Sequence, residues 1–336
     1  VGALGKEMRF SWGLLRGKPF SVLIQITNRC NMRCSFCDFW PNGVPPAEEL
    51  TLEDFKRLSA ELAELGTFLI SIEGGEPMVR PDLVEIVRAL AEHHLTVLYT
   101  NGWYVTPALA DELFAAGLTQ VGVSIDYPQA ERHDAKRGLP GATEKAWAAI
   151  DTLLAAAPHK GKQVHVMSVI MEDNWQDLDA LLTQSQERGA GHCMTLLASG
   201  GYRRGEGPDQ PPPPEAGEHL VELWDRYPHL RWFRGYFEEV GRYLEGAELP
   251  TCRAGIQSFN VDHTGNVSPC IEKIDRVVGN LREESLSAIH ARMVADREQI
   301  STCQDCYTAC RGFSQAMGQG GTLSGWRDLS SRMRSR

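Results

Sequence analysis

Residues 22–37 read Val-Leu-Ile-Gln-Ile-Thr-Asn-Arg-Cys-Asn-Met-Arg-Cys-Ser-Phe-Cys. The first six form an apolar, β-branched run that predicts a buried strand over 22–27. Three thiols follow within eight residues, at Cys30, Cys34 and Cys37, in the loop leaving that strand. Structural zinc takes two spaced pairs or four ligands that close a tetrahedron, and no fourth cysteine lies nearby. Three ligands suit a cubane [4Fe–4S] cluster with one iron left open for a substrate or cofactor. On spacing alone, zinc stays as the alternative.

The strand is the first of a repeating series. Further strands are predicted at 68–72, 95–100, 120–125, 163–170 and 192–197. Helical periodicity covers 51–65, 81–94, 106–116, 142–157 and 176–188. Thr51 and Asp54 read as the cap and first-turn acid of one helix, and Pro81 as the N1 residue of the next. Six strands alternating with helices imply right-handed crossovers and a parallel sheet. The expected architecture is α/β: a partial (β/α)6 TIM-like barrel over 21–200, after an N-terminal segment at 1–20. The stretch 199–217 (SGGYRRGEGPDQPPPPEAG) reads as a linker, with bridging helices around 216–226 and 236–244 completing a 201–250 segment. A small cysteine-rich module is expected at 251–318. The tail at 319–336, with Arg327, Arg332, Arg334 and Arg336, reads as a solvated terminus.

Composition narrows the function classes. Lys plus Arg total 34 and Asp plus Glu 44, a net charge of −10, which disfavours a nucleic-acid partner. No apolar run approaches the roughly 20 residues of a membrane span. Lys6, Arg9, Arg16 and Lys18 break up any signal-peptide core. The odd count of nine cysteines then points to reduced thiolates in a cytoplasm rather than a disulfide framework.

Two further signals occupy equivalent places in the repeat. Gly74-Gly75-Glu76-Pro77 follows the second strand, and Ser124-Ile125-Asp126 ends the fourth. Each alone is an ordinary turn or cap. Together with the cysteine loop they fall at the C-terminal ends of parallel strands, where α/β barrels build active sites. The C-x3-C-x2-C of Cys30, Cys34 and Cys37, with Phe36 before the third cysteine and Gly74 to Pro77 beyond, resembles the radical S-adenosylmethionine (SAM) superfamily over roughly residues 20–200. The resemblance implies an open iron that binds the methionine amino and carboxylate groups. It also implies an electron that cleaves the sulfonium C–S bond, giving methionine and a 5′-deoxyadenosyl radical that abstracts hydrogen. A reducing electron-transfer protein of flavodoxin or ferredoxin type would supply that electron. Carried over by motif, Glu76 and the adjacent backbone of Gly74, Gly75 and Pro77 would meet the methionine ammonium. Ser124 and Asp126 would hold ribose hydroxyls, and Phe36 would lie near the adenine. Asn174 would either help hold the nucleoside or cap its own loop.

The second cysteine group reads Cys252-x12-Gly265-x4-Cys270, then Cys303-x2-Cys306-x3-Cys310. It resembles the SPASM, or shorter twitch, extension that binds auxiliary Fe–S clusters behind many radical SAM barrels. The full pattern continues to another C-x3-C member and a later cysteine, enough for a pair of clusters. Here Ser314 stands at the C-x3-C position and no cysteine follows. Five thiols favour one auxiliary cluster of [4Fe–4S] type, held by Cys252, Cys270 and two of Cys303, Cys306 and Cys310. The analogy with twitch proteins prefers Cys303 and Cys306. Four thiolates would satisfy zinc equally well. The fifth thiol would be a loose ligand, a reactive group or packing.

Cys193 lies in the sixth strand, as a candidate hydrogen-atom donor or a small core residue. Tyr202, Arg203 and Arg204 lie just past that strand. His133, Asp134 and Arg137 follow another strand end without diagnostic spacing, and Trp147 and Trp175 read as packing residues. Three functions compete. The first is oxidation (dehydrogenation or cross-linking) of a small molecule or short peptide, with the auxiliary cluster as electron acceptor. The second is epimerisation of a sugar, aminocyclitol or peptide with a cysteine as hydrogen donor. The third is a non-enzymatic zinc protein. Only about 20 residues precede the barrel, which favours a small molecule or a short, directly bound peptide.

Overall fold

The computed structural model of the chain describes residues 3–159, 163–198, 200–201, 207–317 and 328. β1 (Ser21–Thr27) is buried at every position, as its two-sided apolar run requires of a central strand. β2 (Leu69–Gly74), β3 (Leu95–Thr100), β4 (Gln120–Ser124), β5 (Val164–Ile170) and β6 (Gly191–Leu196) add to it in sequence order, every pairing parallel. This is the expected six-stranded α/β arrangement, with strand ends shifted by a residue or two.

Before β1 the chain forms α1 (Ala3–Leu15), which the sequence reading left as an undefined segment. α2 (Leu52–Leu65) opens on a reciprocal cap: Asp54 N donates to Thr51 Oγ1 at 3.3 Å, and Thr51 N to Asp54 Oδ2 at 2.9 Å. α3 (Leu83–Ala91) begins later than expected. Arg80 grips Asp82 with two hydrogen bonds of 2.9 and 2.8 Å, so Asp82 takes the N-cap position and Pro81 stays in the preceding turn. α4 (Pro107–Ala115), α5 (Ala130–Arg137), α6 (Ala142–Ala156) and α7 (Leu178–Glu187) complete the barrel's helices. α5 was unforeseen because Ala-Glu-Arg-His-Asp-Ala-Lys-Arg carries no apolar stripe.

The cysteine-rich module continues the barrel's own sheet. After α8 (Ala216–Arg226) and α9 (Arg234–Leu244), β7 (Ser258–Val261) pairs parallel with the free edge of β1, from Ser21↔Ser258 to Ile24↔Val261. Gln25 Nε2 donates to Asn260 Oδ1 across this seam at 2.5 Å. β8 (Asn266–Ser268) and β9 (Gly279–Asn280) follow antiparallel, giving the order β6-β5-β4-β3-β2-β1-β7-β8-β9. Beyond α10 (Leu286–Ala295) and α11 (Glu298–Ser301), the chain crosses back to the opposite flank. There α12 (Ala309–Met317) docks on β6, Ala309 N donating to Thr195 Oγ1 at 3.0 Å, and Tyr307 stacks on Tyr236 with ring centroids 5.5 Å apart. Both edges of the partial barrel are thereby covered. Among the described residues no helix is long and apolar enough to cross a membrane.

Candidate active site

The inward faces of the strands enclose a cavity of about 600 Å³. Cys30, Cys34, Phe36 and Cys37 wall it on the side of the cysteine loop, with Gly74, Gly75, Asn101 and Ser124 at neighbouring strand ends. Cys193, Arg231, Glu272, Cys310 and Phe313 line it elsewhere.

The cysteine loop is held by an irregularity in β1. The β1–β2 register slips between Gln25 and Thr27, bringing Thr27 opposite Gly74. Gly75 N then donates to Thr27 O at 2.7 Å and Glu76 N to Arg29 O at 2.9 Å. A Cβ on Gly74 (φ +130°) would stand 2.0 Å from Thr27 O, and one on Gly75 2.3 Å from Arg29 O. Only glycine allows this approach. Beneath the loop, Glu49 is 2% exposed and accepts hydrogen bonds from Thr27 Oγ1 and from Arg29 Nε and Nη2. On the far side, Arg33 N donates to Arg137 O at 3.0 Å and Ser35 Oγ to Asp209 Oδ2 at 2.7 Å.

Three polar residues expected at the cofactor also hydrogen-bond within the protein. The Glu76 carboxylate is fully buried and accepts from Met78 N (3.0 Å), Thr100 Oγ1 (2.8 Å) and Asn101 N (2.7 Å), so it shapes the loop while the backbone of Gly74 and Gly75 faces the cavity. Burial pushes its pKa up, against those three donors. Asp126 is likewise buried, ion-paired with Arg137 Nη2 at 2.5 Å and accepting from Val169 N at 2.9 Å. Asn174 takes the loop-capping alternative: its Nδ2 donates to Asp126 O and Val169 O, and its Oδ1 accepts from Met171 N. Ser124 and Phe36 do line the cavity, whereas Pro77 is buried outside it.

Arg137, whose spacing in the sequence is not diagnostic, stands beside the thiol loop. Its Nη1 lies 3.9 Å from Cys34 Sγ and its guanidinium 5.3 Å from the Phe36 ring centroid, placing a buried cation beside the thiol loop. Its companions are structural. His133 accepts from Asp126 N at 3.1 Å, and Asp134 accepts from Thr143 N and Oγ1 at the start of α6. Trp147 and Trp175 pack at the margin of the hydrophobic core. Tyr202, Arg203, Arg204 and the four tail arginines lie outside the described residues.

The donor sets suit clusters. Burial, Glu76 and the other two thiols push Cys30 up to about 12; burial also raises Cys34, opposed by Arg137. Such thiols ionise when a metal takes them, because a coordinating cation deprotonates a thiol outright. In the second group, burial raises Cys252, Cys270 and Cys306, and each is raised further by at least one of its companions, with Cys303 acting on Cys252. Backbone hydrogen bonds join their segments: Cys252 N donates to Ser301 O at 3.2 Å, and Gly255 N to Pro269 O at 3.1 Å. Cys310 instead turns into the barrel cavity, in an apolar cluster with Leu23, Phe39, Ile271, Ile274 and Cys37. Burial pushes the Cys193 thiol up to about 12, and Tyr99, lying over Gly122, lies within electrostatic reach of both Cys193 and Cys310. Among the described residues no three His, Cys, Asp or Glu side chains converge as one metal ion requires; a cubane spreads its thiolates around a larger body.

A partial parallel barrel with a thiol loop at its rim and a second thiol group on its flank is the scaffold of a cluster-bearing enzyme. Residues 24–184 match the radical SAM superfamily, and 252–307 match SPASM, an iron–sulfur cluster-binding domain. The AdoMet-dependent heme synthase of Methanosarcina barkeri is 30% identical over 293 residues, covering 81% of this chain and 82% of that protein. The mycofactocin maturase MftC of Mycobacterium tuberculosis is 29% identical over 321 residues, 89% of this chain and 78% of that one. Streptococcus suis SuiB bound to its precursor peptide SuiA shares the fold, with TM-score 0.63 and 14% identity over 86% of this chain and 68% of SuiB. The chain belongs to the radical SAM superfamily, in its SPASM-containing branch. SAM and a [4Fe–4S] cluster are the cofactors of its barrel, and auxiliary Fe–S chemistry belongs to its SPASM region.

Proposed function

We propose that the chain oxidises a small molecule or short peptide, taking a hydrogen atom from carbon, passing a proton to a base and the remaining electron to its auxiliary cluster. One observation carries this reading: a single cavity is walled both by Cys30, Cys34 and Cys37 and by Glu272, two residues from Cys270. Bound SAM and its cluster would supply the 5′-deoxyadenosyl radical that takes the hydrogen. The protein's part is to bind, orient and exclude water. Cys30, Cys34 and Cys37 would hold the cluster. The backbone at Gly74 and Gly75 would take the methionine ammonium, Arg137 its carboxylate, Ser124 a nucleoside hydroxyl and Phe36 the adenine face. Glu76, Asp126 and Asn174 would hold those groups in place from behind. Cys252, Cys270, Cys303 and Cys306 would ligate the auxiliary cluster. The apolar wall of Leu23, Val97, Met167 and Val169 would keep water from the radical.

The cavity volume suits one small molecule or a few residues of a peptide. The peptide-bound state of SuiB supports the second choice. A flavodoxin- or ferredoxin-type protein would supply the first electron. Cys193 in the cavity wall favours one further reading, epimerisation with its thiol as hydrogen donor. Anaerobic turnover in D2O with SAM, dithionite and candidate substrates separates the two. Oxidation is expected to give 5′-deoxyadenosine and a product lighter by two hydrogens. A product with a solvent deuteron at an inverted carbon, lost in Cys193→Ala, would establish epimerisation instead. Failure to form 5′-deoxyadenosine would remove both.

A further inference from the structure

Arg311 sits in the first turn of α12, 5% exposed. Its Nη1 donates to Cys303 O at 2.9 Å and Cys306 O at 3.3 Å, and its Nη2 to Pro250 O at 2.5 Å. Those carbonyls belong to the two segments that carry Cys252, Cys303 and Cys306, so the guanidinium ties together the backbone that bears these thiols. The remaining donor, Nε–H, is buried and meets no acceptor on the protein. Buried donors are nearly always satisfied, so an orphan beside the backbone that carries Cys303 and Cys306 calls for an acceptor held there.

We propose that Arg311 is a positioning residue for the auxiliary cluster, giving its Nε–H to a thiolate or sulfide sulfur and raising the cluster's reduction potential. The inference rests on the assignment of Cys252, Cys270, Cys303 and Cys306 to that cluster. Reduction adds one electron and one negative charge and breaks no bond. In turnover the electron comes from the oxidised substrate; in a titration it comes from dithionite. A fixed cation and a hydrogen bond to sulfur both stabilise the added charge. Because Arg311 also ties Pro250 to the Cys303–Cys306 turn, a purely structural role is the competing account, and it predicts no change in potential.

The test uses the full chain with Cys30→Ala, Cys34→Ala and Cys37→Ala, reconstituted so that only the auxiliary cluster remains, and a redox titration followed by electron paramagnetic resonance. At unchanged iron content, Arg311→Gln is expected to lower the reduction equilibrium constant about tenfold, a shift of about 59 mV for one electron. Arg311→Lys, which keeps the charge without the Nε–H, is expected to fall between. Unchanged potentials in both variants would overturn the proposal. Should Arg311→Gln fail to hold iron, pulsed resonance on the triple-alanine chain with Arg311 intact, labelled with 15N-arginine, decides. A nitrogen coupling to the reduced cluster is expected, and its absence overturns the hydrogen bond. A triple-alanine chain that binds no iron would remove the cluster assignment and this inference with it.

Discussion

Gly75→Ala is expected to reduce 5′-deoxyadenosine formation by at least about 100-fold while most of the iron stays bound. The added Cβ would stand 2.3 Å from Arg29 O and 2.6 Å from Asn28 O, both backbone atoms of the segment leading into Cys30. Backbone cannot swing aside as a flexible side chain can. Relief requires the Gly74–Gly75 turn and the cysteine loop to separate by about 1 Å, and a displacement of that size at a reacting centre can cost about 100-fold. Both sides of the separated contact are proposed to hold the methionine end of SAM, so its placement against the open iron fails first. Iron content and 5′-deoxyadenosine yield, measured on the same reconstituted sample, check the prediction. A yield close to that of the unsubstituted chain would show that this close approach does not set SAM geometry.

The second large effect concerns the Asp126–Arg137 pair. Asp126→Leu is expected to destabilise the protein by about 3–5 kcal/mol, because it leaves the Arg137 charge buried without its 2.5 Å partner. Arg137→Leu is expected to cost a similar amount by orphaning the carboxylate. The double variant should recover much of the loss, since an apolar pair of similar volume is often no worse than a buried ion pair. Denaturant midpoints measured anaerobically give all three values and the coupling between them. Stability and function should then part company. A recovered double variant that still fails to cleave SAM would identify Arg137 as a cofactor contact, whereas recovered cleavage would confine the pair to a structural role.

The barrel was legible because its strands are short β-branched runs at regular spacing, and that pattern has a local cause in each strand's burial. The thiol loop and Gly74-Gly75 were legible because both are dense local motifs. What the sequence concealed depends on partners distant along the chain. β7 joins β1 through pairs such as Ser21↔Ser258, and nothing in the four residues Ser258–Val261 names that edge. Arg137 lies in a helix with no apolar stripe for periodicity to detect, yet the fold brings it to Cys34. Glu76, Asp126 and Asn174 were picked out as polar groups at strand ends. Residue type alone does not distinguish a ligand from a side chain that ties loop backbone together, and here all three hydrogen-bond to loop backbone. The period-2 alternation of β3 pointed inward at Tyr99, a signal present in the sequence but unread.

The central claim is that two thiol groups hold two clusters bordering one reaction cavity. It is tested most directly by counting iron, per chain, in protein reconstituted anaerobically with and without the first group. The account predicts about eight irons in the unsubstituted chain. It predicts about four, with no SAM cleavage, when Cys30, Cys34 and Cys37 are all replaced by alanine. It further predicts about eight in Cys310→Ala and about four in Cys306→Ala. Zinc in place of iron, or a Cys310→Ala chain that loses iron while Cys306→Ala keeps it, would contradict the account.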